Sequence, residues 1–156
     1  MFAELKWSKV SNQKVDAYRD LINLYFEMVD SGMIAFHCAT FDNSKWKHHL
    51  YNDGDRDLGL SKNYYQLILH QFIARYCEQA SCFVCLDRRH STTKIPDLQK
   101  ILNNGAGKDY GLTFGPLTGM EARDSKTDDL LQLNDVILGV TSSVKNSRYL
   151  DPQTKG

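Results

Sequence analysis

The sequence predicts an α/β fold in which helices alternate with the strands of a largely parallel sheet. Three observations predict it. Apolar segments with strand character alternate with segments of helical periodicity, the composition is typical of globular proteins, and the length suits one domain. Of the 156 residues, 42% are hydrophobic and 24% are charged, close to the globular averages. We expect one domain over residues 1–148 and a flexible tail over residues 149–156.

The first half of the chain supplies two predicted strands and one predicted helix. FAELKW, residues 2–7, alternates in polarity, which predicts a strand. Residues 11–32 carry apolar side chains at helical spacing and end at a Ser-Gly pair, which predicts a helix. MIAFHCATF, residues 33–41, is a short apolar run rich in strand-forming residues and predicts a second strand. Residues 42–59 are polar and rich in turn formers, so we expect a long excursion near a functional edge.

The second half continues the alternation. Residues 60–79 predict a helix, and SCFVCLDR at residues 81–88 predicts a buried strand. IPDLQKILNNG at residues 95–105 predicts a helix that begins at a proline and stops at its Asn-Gly pair. PLTGMEARDS at residues 116–125 predicts a weaker strand. The last helix is expected to open at Ser125, with an aspartate three residues later as a capping partner.

Charge and cysteine content limit the classes of protein considered. Basic and acidic residues both number 19, so the zero net charge gives no global sign of nucleic-acid binding, although a local basic groove remains compatible with it. No apolar run approaches the roughly 18 residues that span a membrane, and the N-terminus does not resemble a signal peptide. We therefore predict a cytoplasmic protein with four reduced cysteines.

Asp135 stands in LLQLNDVILGV, residues 130–140, one of the most apolar stretches of the chain. On a helical wheel it falls at the border of the apolar face, in line with Gln132 one turn before it and Gly139 one turn after it. A glycine inside a helix costs roughly 1 kcal/mol against alanine, and here it would let a strand or a ligand approach the carboxylate. The pattern leaves two interpretations open, a surface acid at the edge of a helix or a ligand-binding acid.

Two further acids stand on predicted strands. Asp87 ends the strand over residues 81–88, and the carboxyl ends of parallel strands are where ligands bind in α/β sheets; an ordinary turn acid is the alternative. Glu4 shares a strand face with Lys6, which also suits a solvated edge strand of alternating charge. Carboxylates that converge from separate elements can hold two divalent ions, and Mg²⁺ and Mn²⁺ favour oxygen ligands.

Three segments of the chain resemble the domain-of-unknown-function 3800 family. They are ELKWSKVS at residues 4–11, CFVCLD at residues 82–87, and DSKTDDLLQLNDVILGV at residues 124–140, the last being the most specific. The resemblance covers roughly residues 2–146 and implies a ribonuclease H-like three-layer domain with a mixed, largely parallel sheet. It further implies a metal-dependent nuclease that binds Mg²⁺ or Mn²⁺. The residues that match its acidic positions and their motif neighbours are Glu4, Asp87, Asp135, Asp124, Ser125, Lys6 and Lys126.

This chain departs from the family pattern at its first strand. Family members usually begin with a strand that carries an Asp-Glu-Ser-Gly-like motif, and this chain starts at the Glu-x-Lys-Trp strand instead. We therefore expect the chain to be N-terminally incomplete relative to the family, and we expect a homodimer or a second chain to complete the sheet.

The departure leaves two functions to weigh. The first is two-metal hydrolysis of phosphodiester bonds in nucleic acid. Glu4, Asp87, Asp135 and Asp124 would serve as metal ligands, and Lys6 or Lys126 would steady the developing charge. The second is a non-catalytic interaction module, or a remnant, that keeps the scaffold.

Two other patterns are candidate sites. Cys82 and Cys85 lie three positions apart within one predicted strand and point to opposite faces, so buried thiols fit better than a zinc site. KWKHHLYN, residues 45–52, mixes basic and aromatic side chains, which suits nucleic-acid contact by stacking or a solvated loop with one anchoring aromatic.

Overall fold

The computed structural model describes residues 5–41, 56–88 and 95–150. They form a mixed α/β fold, as the alternation of patterns predicts, and most of the described residues are helical. The chain divides into two compact units, Met1–Cys38 with Asp124–Gly156, and Ala39–Arg123. The elements are α1 (Val15–Asp30), α2 (Arg56–Leu67), a π-helical stretch (Ile68–Ile73), α3 (Ala74–Tyr76), β1 (Cys82–Asp87), α4 (Ile95–Tyr110), β2 (Leu117–Arg123) and α5 (Asp129–Lys145), with 3-10 turns at Trp7–Lys9, Ser125–Thr127 and Arg148–Leu150.

Helices α1 and α5 are the long elements of the first unit. Tyr18 and Tyr25 are the buried residues of α1, and burial raises the pKa of the Tyr25 hydroxyl. Helix α1 ends where the Ser31 N–H donates to the Glu27 carbonyl, which confirms the helix predicted over residues 11–32. None of the described helices is both long enough and apolar enough to cross a membrane.

The second unit is built around a parallel pair of strands. Strand β1 pairs with β2 in parallel, with Val84 opposite Met120 and Leu86 opposite Ala122, and α4 connects the two strands. One face of the pair contributes Leu86 and Met120 to a core that the π-helical stretch and α4 complete. Both strands confirm their sequence predictions, and together they form the sheet of the described residues.

Side chains of α4 hold the start of β2 in place. The Leu117 N–H donates to Asn103 Oδ1 over 2.9 Å, and Asn103 Nδ2 and Gln99 Nε2 both donate to the Leu117 carbonyl. Leu117 is 2% exposed, so leaving its peptide groups unpaired would cost about 1–3 kcal/mol. The crossover helix therefore fixes where the second strand begins.

Two predicted strands are wrong within the described residues. Leu5–Trp7 does not form a strand, because its amides bond to side chains of α5 and α1 rather than to a neighbouring strand. Residues 33–41 form neither helix nor strand. The Met33 and Ile34 amides both donate to the Met28 carbonyl at the end of α1, so tertiary context overrides their strand propensity.

Two predicted boundaries also need correction. Helix α4 runs on to Tyr110, beyond the predicted stop at residues 104 and 105, because Gly105 and Ala106 are buried against the core and packing outweighs local propensity. It ends before Gly111, which has a φ of 67°. Residues 56–59 of the predicted excursion belong to α2, whereas residues 42–55, which include all of KWKHHLYN, lie outside the described residues.

The cysteines depart from the prediction of four reduced thiols. Cys77, which is fully buried, forms a disulfide with Cys82, and their Cα atoms lie 6.8 Å apart, within the range that a disulfide allows. The bond joins the end of α3 to the start of β1 across four residues. Cys38 and Cys85 carry free thiols. The cytoplasmic location, which rested partly on reduced thiols, stays a prediction.

We expect reduction of the Cys77–Cys82 bond to lower the free energy of unfolding by about 2 kcal/mol, since the bond closes a loop of about six residues. Urea unfolding with and without dithiothreitol measures this difference. The denatured, unreduced chain should react with a thiol reagent at two cysteines, and the reduced chain at four. Four reactive thiols without reductant would contradict the pairing, and Cys38→Ser is the control for an unpaired cysteine.

Two polar pairs join the helices of the second unit. His70 Nδ1 lies 2.5 Å from the Tyr110 hydroxyl, and the Tyr65 hydroxyl is subject to the charge of Asp109. Burial, then the negative charge of Asp109 and the neighbouring Tyr110, raise the pKa of Tyr65 above its ordinary value of 10.0. The folded state therefore retains the Tyr65 proton to a higher pH than the unfolded chain does.

The stability linked to Tyr65 should be fully present below pH 10, its unfolded value, and should be lost as the pH rises through the raised folded pKa. The free energy of unfolding of Tyr65→Phe should therefore fall less steeply with pH over this alkaline range than that of the parent chain. Asp109→Asn keeps the phenol and should lower its pKa, which tyrosinate absorbance reports. An unchanged alkaline decline in Tyr65→Phe would contradict the assignment.

Candidate functional site at helix α5

Two aspartates build the start of α5. Asp124 Oδ1 accepts a hydrogen bond from the Lys126 amide over 3.0 Å and caps the 3-10 turn Ser125–Thr127. Asp128 is the N-cap of α5, and its Oδ1 accepts from the Leu131 amide over 3.0 Å. The helix thus opens with two successive caps. The predicted opening at Ser125 is wrong for α5 itself, which begins at Asp129.

Gln132, one turn into α5, ties two separate segments to the helix. Its Oε1 accepts a hydrogen bond from the Leu5 amide over 2.7 Å, and its Nε2 donates to the Lys126 carbonyl over 3.3 Å. Gln132 is the buried polar residue of the described core, 6% exposed. Both ends of its amide are satisfied, as a buried polar side chain requires.

Asp135 continues the same line of side chains. Its Oδ2 accepts a hydrogen bond from the Trp7 amide over 2.9 Å. The side chain is exposed, whereas the next two residues, Val136 and Ile137, are buried. The wheel therefore placed Asp135 correctly at the border of the apolar face, and the carboxylate there is a hydrogen-bond acceptor for the backbone of another segment.

Gly139 allows that segment to come close. An added Cβ at this position would overlap with Cβ and Cγ of Trp7. This confirms the expectation that the glycine admits a close neighbour beside the carboxylate, and the neighbour is an aromatic side chain.

Tyr18 of α1 completes the set of contacts with the segment Leu5–Trp7. Its hydroxyl donates to the Lys6 carbonyl over 3.1 Å and lies 3.3 Å from the Lys6 amide. The backbone at Lys6 is extended, with φ −156° and ψ 138°. Sequence reasoning assigned Tyr18 only to the apolar stripe of α1, and nothing in the helical pattern marks its hydroxyl as a partner of the backbone. The side chains that bind Leu5–Trp7, namely Tyr18, Gln132 and Asp135 with the space above Gly139, are called the α5 clamp below.

The predicted site residues divide between the two units. Lys6, Asp124, Lys126 and Asp135 belong to the first unit, and all four side chains are exposed. Asp87 belongs to the second unit, where it is exposed at the carboxyl end of β1, in register with Arg123 of β2. Glu4 lies outside the described residues.

The implied metal ion would need several oxygen ligands close together. Carboxylate oxygens are the right donors for Mg²⁺ or Mn²⁺, but Asp124 and Asp135 each spend one oxygen on a backbone amide. Over residues 5–41, 56–88 and 95–150, no three His, Cys, Asp or Glu side chains lie close enough together to hold a metal ion. The described residues therefore do not form the implied metal site.

Compared with protein-family models, with curated proteins and with solved structures, the chain matches none of them.

We expect Gly139→Ala to open the α5 clamp, because the new Cβ would displace the Trp7 side chain. Alanine also gains roughly 1 kcal/mol of helix propensity over glycine, so global stability changes less than the local contact does. In a Trp46→Phe background, the emission of Trp7 should shift to longer wavelength. Ser142→Ala on the same helix is the control, and an unshifted emission in Gly139→Ala would contradict the contact.

Proposed function

We propose that this chain is a non-catalytic interaction module that keeps a ribonuclease H-like scaffold. Membership of the domain-of-unknown-function 3800 family, a three-layer arrangement and a cytoplasmic location belong to this proposal. The partner class that the resemblance implies is nucleic acid. Asp135 acts here as a structural acceptor.

The hydrogen bond from the Trp7 amide to Asp135 Oδ2 carries the proposal. It gives the central acid of the most specific motif a role that needs no metal. Gln132 and Gly139 serve the same segment, and Asp124 and Asp128 cap helices. These five positions of the segment 124–140 thus each have a structural use, which supports a scaffold role.

A metal-dependent nuclease is the second candidate. It is supported by Asp87, whose carboxylate is exposed at the carboxyl end of β1, and by Asp135, whose Oδ1 makes no hydrogen bond within the described residues. Carboxylate oxygens such as these suit Mg²⁺. When bound, the ion would supply charge stabilisation at a phosphodiester.

Asp135→Asn and Asp135→Ala separate the two candidates. Asparagine keeps an oxygen that can accept from the Trp7 amide, so we expect unfolding free energy near that of the parent chain. Alanine removes the acceptor and should cost about 1 kcal/mol. Urea unfolding measures both. A metal ligand would instead be lost in both variants, with equal loss of Mg²⁺ or Mn²⁺ binding by calorimetry.

Binding and cleavage of labelled oligonucleotides complete the comparison. We expect the parent chain and Asp135→Asn to leave single- and double-stranded oligonucleotides intact with Mg²⁺ or Mn²⁺ present, and to bind them equally well in fluorescence anisotropy. Metal-dependent cleavage that both Asp135 variants and Asp87→Asn abolish would overturn the proposal in favour of the nuclease. Absence of oligonucleotide binding would remove nucleic acid as the partner class.

A further inference from the structure

The outer edge of β1 carries peptide groups that point away from β2. The Arg88 amide donates to the Arg123 carbonyl over 2.8 Å, so the peptide groups of Leu86 and Val84 point the same way, towards β2. Because peptide groups alternate along a strand, those of Phe83, Cys85 and Asp87 face the opposite edge. No strand of the described residues pairs with that edge.

This edge has few of the features that protect sheet edges. Proteins usually blunt an edge with charges, prolines or a bulge, or cover it. Strand β1 reads CFVCLD, with its one charge at the end, and its irregular register lies at the start, between Cys82 and Phe83. Phe83, the second residue of β1, is 54% exposed. Two-stranded sheets are also marginal by themselves, and parallel ones are usually extended and covered.

We propose that β1 pairs with the same strand of a second copy of this chain, antiparallel about a two-fold axis at Cys85. The two sheets then form one sheet of four strands, with the two β1 strands at its centre. Cys85 lies opposite Cys85 of the partner subunit, and Phe83 lies opposite Asp87 of the partner subunit. The interface is isologous and closes on itself. This inference does not depend on the proposed function.

Charge complementarity supports this register. Phe83, Cys85 and Asp87 share one face, and the Arg123 guanidinium lies 5.9 Å from the centre of the Phe83 ring on that face. Pairing about Cys85 brings the partner's Asp87 beside Phe83, and therefore beside Arg123, once on each side of the axis. Arg123 Nε also contacts Glu121, and a guanidinium has five N–H donors, so one group can serve two carboxylates.

Other registers lose this complementarity. An axis at Asp87 would place the two Asp87 carboxylates opposite each other, and like charges in that position are destabilising. An axis at Phe83 would leave Cys85 and Asp87 to pair with residues beyond β1. The register about Cys85 is the one in which all three outward-facing residues of the strand pair with one another.

Cys85 provides a direct test. A hydrogen-bonded antiparallel pair has its Cα atoms about 5.5 Å apart, within disulfide range. Diamide takes two electrons and two protons from the two thiols, is reduced to the hydrazine, and leaves a disulfide between the copies. Full-length Cys38→Ser treated with diamide should give a covalent dimer on a non-reducing gel, reversed by dithiothreitol. The double variant Cys38→Ser/Cys85→Ser, which lacks both free thiols, should give none.

Sedimentation velocity tests the interface without oxidation. The parent chain should show a concentration-dependent dimer. Asp87→Arg and Arg123→Asp should each raise the dissociation constant of the dimer on the order of tenfold. The double variant should recover most of the lost affinity. A chain that stays monomeric over the whole range overturns the proposal. So does a dimer of Cys38→Ser in which diamide does not link Cys85 to Cys85 of the partner subunit, or one that is indifferent to both charge changes.

Discussion

The N-terminal segment of this protein is held by side chains that bind its backbone. Leu5, Lys6 and Trp7 present amides that a strand neighbour would normally satisfy, and here Gln132, Tyr18 and Asp135 satisfy them. Each such bond is worth about 1 kcal/mol net. The larger effect of these bonds is to fix the position of the segment. Alternate amides of the extended backbone must donate to side chains that lie one turn apart on α5. The first unit depends on this match between a strand spacing and a helix spacing.

The same match explains the motif that carries the family resemblance. Asp124 and Asp128 cap the turn and the helix. Gln132 and Asp135 accept hydrogen bonds from the amides of the N-terminal segment, and Gly139 leaves space for the Trp7 side chain. A motif of this kind specifies how one helix starts and what lies along one of its faces. Similarity in this motif is therefore stronger support for a shared scaffold than for a shared activity. That is why we place the interaction module ahead of the nuclease.

Periodicity recovered the elements whose burial is set by their own sequence. Helix α1, strands β1 and β2, and the border position of Asp135 all follow from apolar spacing. It failed where distant partners decide, since Leu5–Trp7 alternates like a strand and is instead bound by a helix 127 residues away in sequence. The Tyr18 hydroxyl was missed for the same reason. The disulfide joins cysteines five positions apart, and it was missed because apolar periodicity carries no information on thiol pairing. The glycine beside the acid was the one sequence feature that pointed to the contact.

Hydrogen exchange of the Trp7 amide tests the central claim most directly. In a ¹⁵N-labelled chain, the hydrogen bond to Asp135 should slow exchange of this amide relative to an exposed one. The account predicts that this protection survives in Asp135→Asn and is lost in Asp135→Ala, while amides in the middle of α1 exchange at parent rates in both. Protection that persists in Asp135→Ala, or that is absent from the parent chain, would contradict it.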